Sequence, residues 1–314
     1  MRAHLDPRVR VTELGVRRIR EGLARMICHL RRAGNTPTLI LGWDLAAGIM
    51  LARKFGCFSA PTIFREGGFP RTSVKPRWHW LFRHVLGTAD AVIAQSRAAK
   101  AELVTLGVAK ERIVVVPNPC PGGPSDSLPR PLSDGEIIIL GAGRLAPQKG
   151  FDRLIRGFKL FHQRHQEARL VILGDGPDRR KLEELVVGLG LTAVVQLPGF
   201  VGEVDGWYRR AHVFVLSSVW EGQSNSLLEA IIRSCRVIVA EGIGGTGELM
   251  IDAGLEQYVV PMANFETGLA NALDRALAER DELWVRAARQ VAELTSLDVV
   301  LARYWNICQS VRHG

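Results

Sequence analysis

The chain has 314 residues, of which 47% are hydrophobic and 23% are charged, a balance typical of a soluble globular protein. This length is sufficient for two domains with hydrophobic cores. The sequence contains no apolar run of membrane-spanning length and no signal-peptide-like apolar segment at its amino terminus. Its five cysteines are scattered and form no Cys-x-x-Cys pair, which argues against structural zinc and for a reducing cytoplasm.

The net charge of +9 is unevenly distributed along the chain. Residues 1–130 contain 21 Lys and Arg against 9 Asp and Glu, whereas residues 131–314 contain 20 and 23. The basic half is either an ordinary solvated surface or a contact for an anionic membrane face or a phosphate-bearing molecule. Nucleic acid is not expected as a partner, because no nucleic-acid motif accompanies the charge.

The first half of the chain alternates between strand and helix patterns. Val11–Arg32 predicts an amphipathic helix that packs on a sheet or lies on a membrane surface. Strands are predicted at Thr38–Leu41, Pro61–Phe64, Asp90–Ala94 and Arg112–Val116, and helices near Asp44–Lys54, Pro76–Val85 and Ala98–Leu106. This alternation predicts a parallel sheet in a Rossmann-like domain over residues 1–117. Residues 118–134, which contain five prolines, predict an interdomain linker.

A glycine-rich loop opens the second half. The apolar run Ile137–Leu140 ends at Gly141, and an amphipathic helix pattern runs from Phe151 to about Gln166. Glycines let a backbone approach a ligand closely, and a helix start offers unpaired N–H groups to an anion. Because Arg144 and Lys149 add two cations to this loop, we expect it to cradle a phosphate or diphosphate.

Further strand and helix patterns complete a second Rossmann-like domain over residues 135–295. Strands are predicted at Arg169–Leu173, Val194–Leu197, Val213–Leu216, Val237–Ala240 and Gln257–Val260, and helices at Phe265–Leu277 and Asp281–Leu294. A last helix, Leu297–Val311, belongs to the segment 296–314.

Two glutamates follow the strand Val213–Leu216. Glu221 is predicted in the loop after this strand, and Glu229 about two turns into the next helix. Both positions reach the crevice at the carboxyl ends of parallel strands. An ionised carboxylate only accepts hydrogen bonds, so it suits the hydroxyl groups of a sugar or ribose. A basic loop and two such acids together predict a nucleotide-sugar site.

The order of these motifs resembles the donor half of family-four glycosyltransferases. The resemblance rests on Gly143-Arg-Leu145, Gln148-Lys-Gly150, Leu173-Gly-Asp-Gly176, Pro198-Gly-Phe200 and the two glutamates. It implies an α/β fold with two Rossmann-like domains facing across a cleft, the GT-B type, and a last helix that crosses back to the first domain. It also implies that Phe200 lies near the nucleotide base and that the N–H of Gly245 lies near the diphosphate and sugar. The predicted catalytic residues are Glu221, Arg144 and Lys149, and the predicted donor-binding residues are Gly143, Arg144, Lys149, Phe200, Glu221, Asn225, Ser226, Glu229 and Gly245.

The expected function is transfer of a sugar from a nucleotide sugar to a lipid-linked or polysaccharide acceptor. The resemblance implies retention at the anomeric carbon. No cofactor or metal is expected, because no Asp-x-Asp follows a strand and the basic loop takes the place of a metal clamp. The protein is expected in the cytoplasm or on the inner face of a membrane.

The resembled enzymes begin with strands that precede the helix near Val11, so the first domain is predicted to be incomplete. Either the true start lies upstream, or the chain is a fragment, or a partner completes the sheet. The alternative function is therefore a nucleotide-sugar-binding remnant that is inactive without those strands.

Overall fold

The computed structural model describes residues 10–13, 19–67, 84, 86–120 and 135–313. Most of the helix predicted near Pro76–Val85 lies outside this part of the chain, as do residues 121–134 of the predicted linker. The described residues form two α/β domains, each built on a parallel sheet. The fold class predicted from the sequence is therefore confirmed.

The first domain contains a four-stranded parallel sheet in the order β1-β2-β3-β4. The strands are short and mostly apolar, and β1, β2 and β3 are followed directly by glycine or polar residues, whereas β4 is followed by Val116 and Pro117. Leu30 of the first helix is buried in the core of this domain, so the apolar face of that helix packs against the domain. The elements are α1 (Ile19–Ala33), β1 (Thr38–Leu41), α2 (Trp43–Lys54), β2 (Thr62–Arg65), β3 (Ala91–Ala94), α3 (Arg97–Thr105) and β4 (Ile113–Val115).

The second domain contains a six-stranded parallel sheet in the order β12-β10-β8-β5-β6-β7. Its central strands are apolar on both faces because helices cover both sides of the sheet. The elements are β5 (Ile137–Ala142), α4 (Phe151–His162), β6 (Ala168–Leu173), α5 (Arg179–Gly188), β7 (Val195–Gly199), α6 (Asp205–Arg210), β8 (Val213–Leu216), β9 (Trp220–Glu221), α7 (Asn225–Ile232), β10 (Arg236–Ala240), β11 (Ile243–Gly244), α8 (Thr246–Asp252), β12 (Val259–Val260), α9 (Phe265–Ala278) and α10 (Asp281–Thr295).

The strand order reverses between β5 and β8. The chain runs outward from β5 through β6 to β7, then returns to the other side of β5 at β8 and runs outward again. Loops that follow the two strands at such a reversal diverge to opposite faces and leave a crevice between them. The sheet therefore forms its crevice where the loops after β5 and β8 meet.

The two domains are joined at neighbouring points. The last helix, α11 (Leu297–His313), leaves the second domain and packs Val300 and Ile307 against Ile63 and Ile93 of the first sheet. Just before α11 begins, the carbonyl oxygen of Thr295 accepts a hydrogen bond from the backbone N–H of Cys120 at 2.8 Å. The outgoing and returning segments thus lie next to each other.

Glu221 differs from its predicted position in a loop. It lies on the two-residue strand β9, which pairs in parallel with β11 so that Glu221 is in register with Gly244. The pairing partner is more than twenty residues away along the chain, so no local pattern reveals it. As a result, the backbone of Glu221 is held by a small sheet rather than by a loop.

Candidate active site

Lys149 stands on the loop that follows β5, where hydrogen bonds tie this loop to the segment after β8. Ser217 Oγ donates to the carbonyl oxygen of Lys149 at 2.8 Å. The N–H of Val219 donates to the carbonyl oxygen of Gln148 at 2.8 Å, and Gln148 Nε2 donates to the carbonyl oxygen of Trp220 at 2.9 Å. Because β5 and β8 are adjacent strands, their loops meet and hold each other at the crevice.

The side chains of Lys149 and Glu221 form an ion pair at this junction. Lys149 Nζ donates to Glu221 Oε1 at 2.6 Å, and the two side chains are only 16% and 11% exposed. The same carboxylate oxygen accepts from Ser218 Oγ at 2.8 Å. Low exposure strengthens the attraction between the charges, so each side chain fixes the position of the other.

Backbone hydrogen bonds join the glycine motifs at the ends of β5, β6 and β7. The N–H of Gly143 donates to the carbonyl oxygen of Leu173 at 2.9 Å, and the N–H of Gly174 donates to that of Gly199 at 2.8 Å. Gly174 has φ +126°, and a Cβ there would lie 1.9 Å from the carbonyl oxygen of Gly143. Only glycine fits such a close approach of two backbones. Gly174, directly after β6, is therefore a packing position that supports the loop after β5 at Gly143.

Glu229 stands on α7, the helix that follows Glu221. Ser224 caps this helix, since its side chain accepts from the N–H of Leu227. Glu229 lies beside the buried Tyr208, whose pKa is raised by burial first and then by the neighbouring Glu229 carboxylate. Helix α7 thus presents Asn225, Ser226 and Glu229 to the same space as the Lys149 loop.

A cavity of about 960 Å³ lies between the two domains and collects these groups. The second domain contributes the loops after β5 and β8 and the start of α7. Leu39, Leu41 and Arg65 come from the first domain, and Leu301 and Tyr304 come from α11. A volume of this size suits a ligand as large as a nucleotide sugar.

Six of the predicted site residues line this cavity, namely Gly143, Lys149, Glu221, Asn225, Ser226 and Glu229. Three others do not line it. Arg144 is exposed on the Lys149 loop, and Phe200 is 85% exposed. The N–H of Gly245 donates to the carbonyl oxygens of Glu221 and Gly222, at 3.2 and 3.1 Å. Since that N–H is already paired, Gly245 is not placed to donate to a ligand in this structure.

Sequence reasoning missed Asn118, which connects the two domains at the cavity. Its side-chain Nδ2 donates to Asn225 Oδ1 at 2.7 Å, and its Oδ1 accepts from Arg65 Nη2. Its backbone N–H donates to Gln223 Oε1. The proline-rich surroundings of Asn118 predict a linker, and nothing in that local pattern predicts contacts with residues more than fifty positions away.

Two features are absent from the described part of the chain. None of its helices is both long enough and apolar enough to cross a membrane. No group of three or more His, Cys, Asp or Glu side chains in those residues is arranged to bind a metal ion.

Comparison with known protein families matches both halves of the chain. Residues 127–291 match the family described as glycosyl transferases group 1, and residues 15–121 match glycosyltransferase family 4.

Relatives and solved structures agree with these matches. A GDP-mannose-dependent alpha-mannosyltransferase of Mycobacterium tuberculosis is 30% identical over 306 residues, which cover 92% of this chain and 75% of that protein. An uncharacterized glycosyltransferase of Methanocaldococcus jannaschii is 29% identical over 178 residues, 54% of this chain. The match spans only 44% of that protein's length. Anabaena Alr3699/HepE, crystallised with UDP, superposes with a TM-score of 0.75 at 16% identity, over 92% of this chain and 82% of its own. At 16% identity, the similarity to Alr3699/HepE shows a shared fold and no more.

Proposed function

Because the chain belongs to the glycosyl transferases group 1 family, we propose that it transfers a sugar from a nucleoside-diphosphate sugar to a lipid-linked or polysaccharide acceptor, with retention at the anomeric carbon. The observation that carries this proposal is the Lys149–Glu221 pair at the reversal of strand order, inside the interdomain cavity. A cation for the diphosphate and an acid for the sugar hydroxyls stand together where an open α/β sheet binds its ligand.

Lys149 stabilises the leaving nucleoside diphosphate in this proposal. Negative charge builds on the diphosphate as the bond from sugar to phosphate breaks, and a fixed, largely buried cation lowers the free energy of that state. Arg144 does not line the cavity, but it follows Gly143 on the same loop, and its long, exposed guanidinium can reach the cavity edge and donate to two phosphate oxygens at once. With two cations in these roles, the reaction needs no metal ion to neutralise the leaving group.

Glu221 and Glu229 bind hydroxyl groups of the donor. Within the described chain, Glu221 Oε1 already accepts from Lys149 and Ser218, so Oε2 is the oxygen that accepts from the sugar. Glu229 lies farther along α7 and accepts from the ribose hydroxyls. Fixing the donor at both ends orients the anomeric carbon for the acceptor.

The first domain supplies the acceptor side. Leu39, Leu41 and Leu301 line the cavity and remain partly exposed there, so they suit an apolar acceptor chain. The basic charge of residues 1–130 suits an anionic membrane surface or a phosphate on the acceptor. These features support a lipid-linked acceptor and a position on the inner face of a membrane.

A panel of nucleotide sugars tests the proposal. Binding is measured by calorimetry, and nucleotide release is measured with membrane extract or soluble polysaccharide as the acceptor. We expect one donor to saturate the protein and to release its nucleotide only when an acceptor is present. Saturation without release with either acceptor would favour the nucleotide-sugar-binding alternative, and no saturation by any donor would refute both.

A further inference from the structure

Helix α3 of the first domain receives its amino-terminal cap from the second domain. Glu248 of α8 accepts a hydrogen bond from the N–H of Arg97 at 2.8 Å and another from the N–H of Ala98. The third N–H, that of Ala99, donates to Ser96 Oγ at 3.1 Å. Helix α3 has no acidic residue in its own first turn. The positive end of its dipole is therefore complemented across the domain interface, where a carboxylate is favourable.

Two further contacts reinforce this point of the interface. Arg97 Nη2 donates to Asp252 Oδ1 at 2.9 Å. Gly245 lies directly on Ser96, since a Cβ at Gly245 would be 2.6 Å from the Cβ of Ser96. The start of α3 is thus in contact with both ends of the segment that runs from Gly245 to Asp252.

The same segment holds the backbone of Glu221. Gly244 pairs in register with Glu221 through β11 and β9, and the N–H of Gly245 donates to the carbonyl oxygen of Glu221. The chain from Gly244 to Glu248 therefore lies between Glu221 on one side and the start of α3 on the other. A shift of α3 away from Glu248 removes the support on one side of this segment.

We propose that Glu248 is a positioning residue that couples closure of the interdomain cleft to the placement of Glu221. When the cleft is closed, the Glu248 carboxylate binds the start of α3, and the chain from Gly244 to Glu248 is held in place so that β11 stays paired with β9. When the cleft is open, the same N–H groups are left to water and Glu221 loses that support. The link to catalysis rests on the function proposed above, whereas the link to closure does not.

Two variants of Glu248 and one control test the proposal. Glu248→Ala removes both acceptor oxygens, and Glu248→Gln keeps only one of them and removes the charge. Glu282→Ala, an exposed glutamate of α10 in the second domain, makes the same charge change away from the interface. Small-angle scattering gives the radius of gyration of each protein, calorimetry with UDP and GDP gives the nucleotide affinity, and turnover is measured with the best donor from the panel.

We expect Glu248→Ala to have a larger radius of gyration than the parent, because the charged capping contacts between the domains are lost. Its turnover number should fall roughly tenfold or more, because a displaced Glu221 no longer orients the donor sugar. The nucleotide affinity should stay within about twofold, because the proposed nucleotide contacts all lie in the second domain. Glu248→Gln should have a radius of gyration and a turnover number between those of the parent and of Glu248→Ala. Unchanged scattering and turnover relative to Glu282→Ala would refute the proposal. If the parent is saturated by no donor of the panel, the proposed function fails, and the scattering comparison still decides whether Glu248 holds the cleft closed.

Discussion

Replacing Lys149 by alanine is the most direct test of the site, because this residue is expected to contribute both to the stability of the fold and to binding of the diphosphate. At the 2.6 Å separation of Lys149 Nζ and Glu221 Oε1, the Coulomb attraction is about 6 kcal/mol at an effective dielectric constant of 20. Most of it offsets the cost of removing both charges from water. Removing one partner of a fully buried pair costs about 3–5 kcal/mol. Because Glu221 keeps its bond to Ser218 and neither side chain is fully buried, we expect the free energy of unfolding to fall by about 2–3 kcal/mol, at or below the lower limit of that range.

Melting and calorimetry measure the two effects separately. The structural cost should lower the melting temperature of Lys149→Ala by about 4–10 °C. The double variant Lys149→Ala/Glu221→Gln should recover most of this loss, since no unpaired charge remains. Affinity for the nucleoside diphosphate should fall about 10- to 150-fold in both proteins, the value of one charge-assisted hydrogen bond of about 1.5–3 kcal/mol.

The control is Lys181→Ala, which removes an exposed lysine of α5. If Lys149→Ala binds UDP and GDP as tightly as Lys181→Ala does, Lys149 does not contact the diphosphate. If the melting temperature falls and Glu221→Gln fails to restore it, the ion pair is not the source of the instability.

Three other outcomes are expected. Glu229→Gln should weaken donor binding about tenfold through the loss of charged hydrogen bonds to the ribose, and a calorimetric affinity equal to that of the parent would contradict this role. Burial raises the pKa of the Asp90 carboxyl, but hydrogen bonds from Arg53 and Thr62 lower it more, so the net shift is downward. Asp90 therefore stabilises the folded protein above about pH 4, and this contribution is lost as the pH falls through the lowered folded-state pKa. Asp90→Asn should accordingly melt earlier than the parent at pH 7 and lose that difference in acid. Burial raises the pKa of the Cys120 thiol to about 11, so iodoacetamide at pH 8 should modify the exposed Cys28 first, as peptide mass spectrometry would show.

The strands and helices were predictable because each is encoded by neighbouring residues. Val213–Leu216 was predicted with the bounds that the structure shows, since a run of four apolar residues between polar ones suits a strand buried on both faces. The meeting of Lys149 and Glu221 was predictable for a related reason. Loops after parallel strands share one edge of the sheet, so two motifs more than seventy residues apart converge without any long-range information.

The remaining parts of the site depend on contacts that no local pattern encodes. Glu221 lies on a strand because of its pairing with β11, and Asn118 joins the domains because its amide is complementary to groups on both sides. Glycine and aromatic motifs do not specify which way a loop faces. Gly245 therefore uses its N–H within the protein, and Phe200 points into solvent.

The two domains are connected where Cys120 and Thr295 lie side by side, joined by a backbone hydrogen bond. The chain leaves the first domain at Cys120 and returns to it just after Thr295, so these two points lie side by side. A rotation of one domain about this shared point would displace the far end of the cleft more than the end beside it. Cutting the chain at the start of the last helix would remove one of the two connections and free the remaining one to twist.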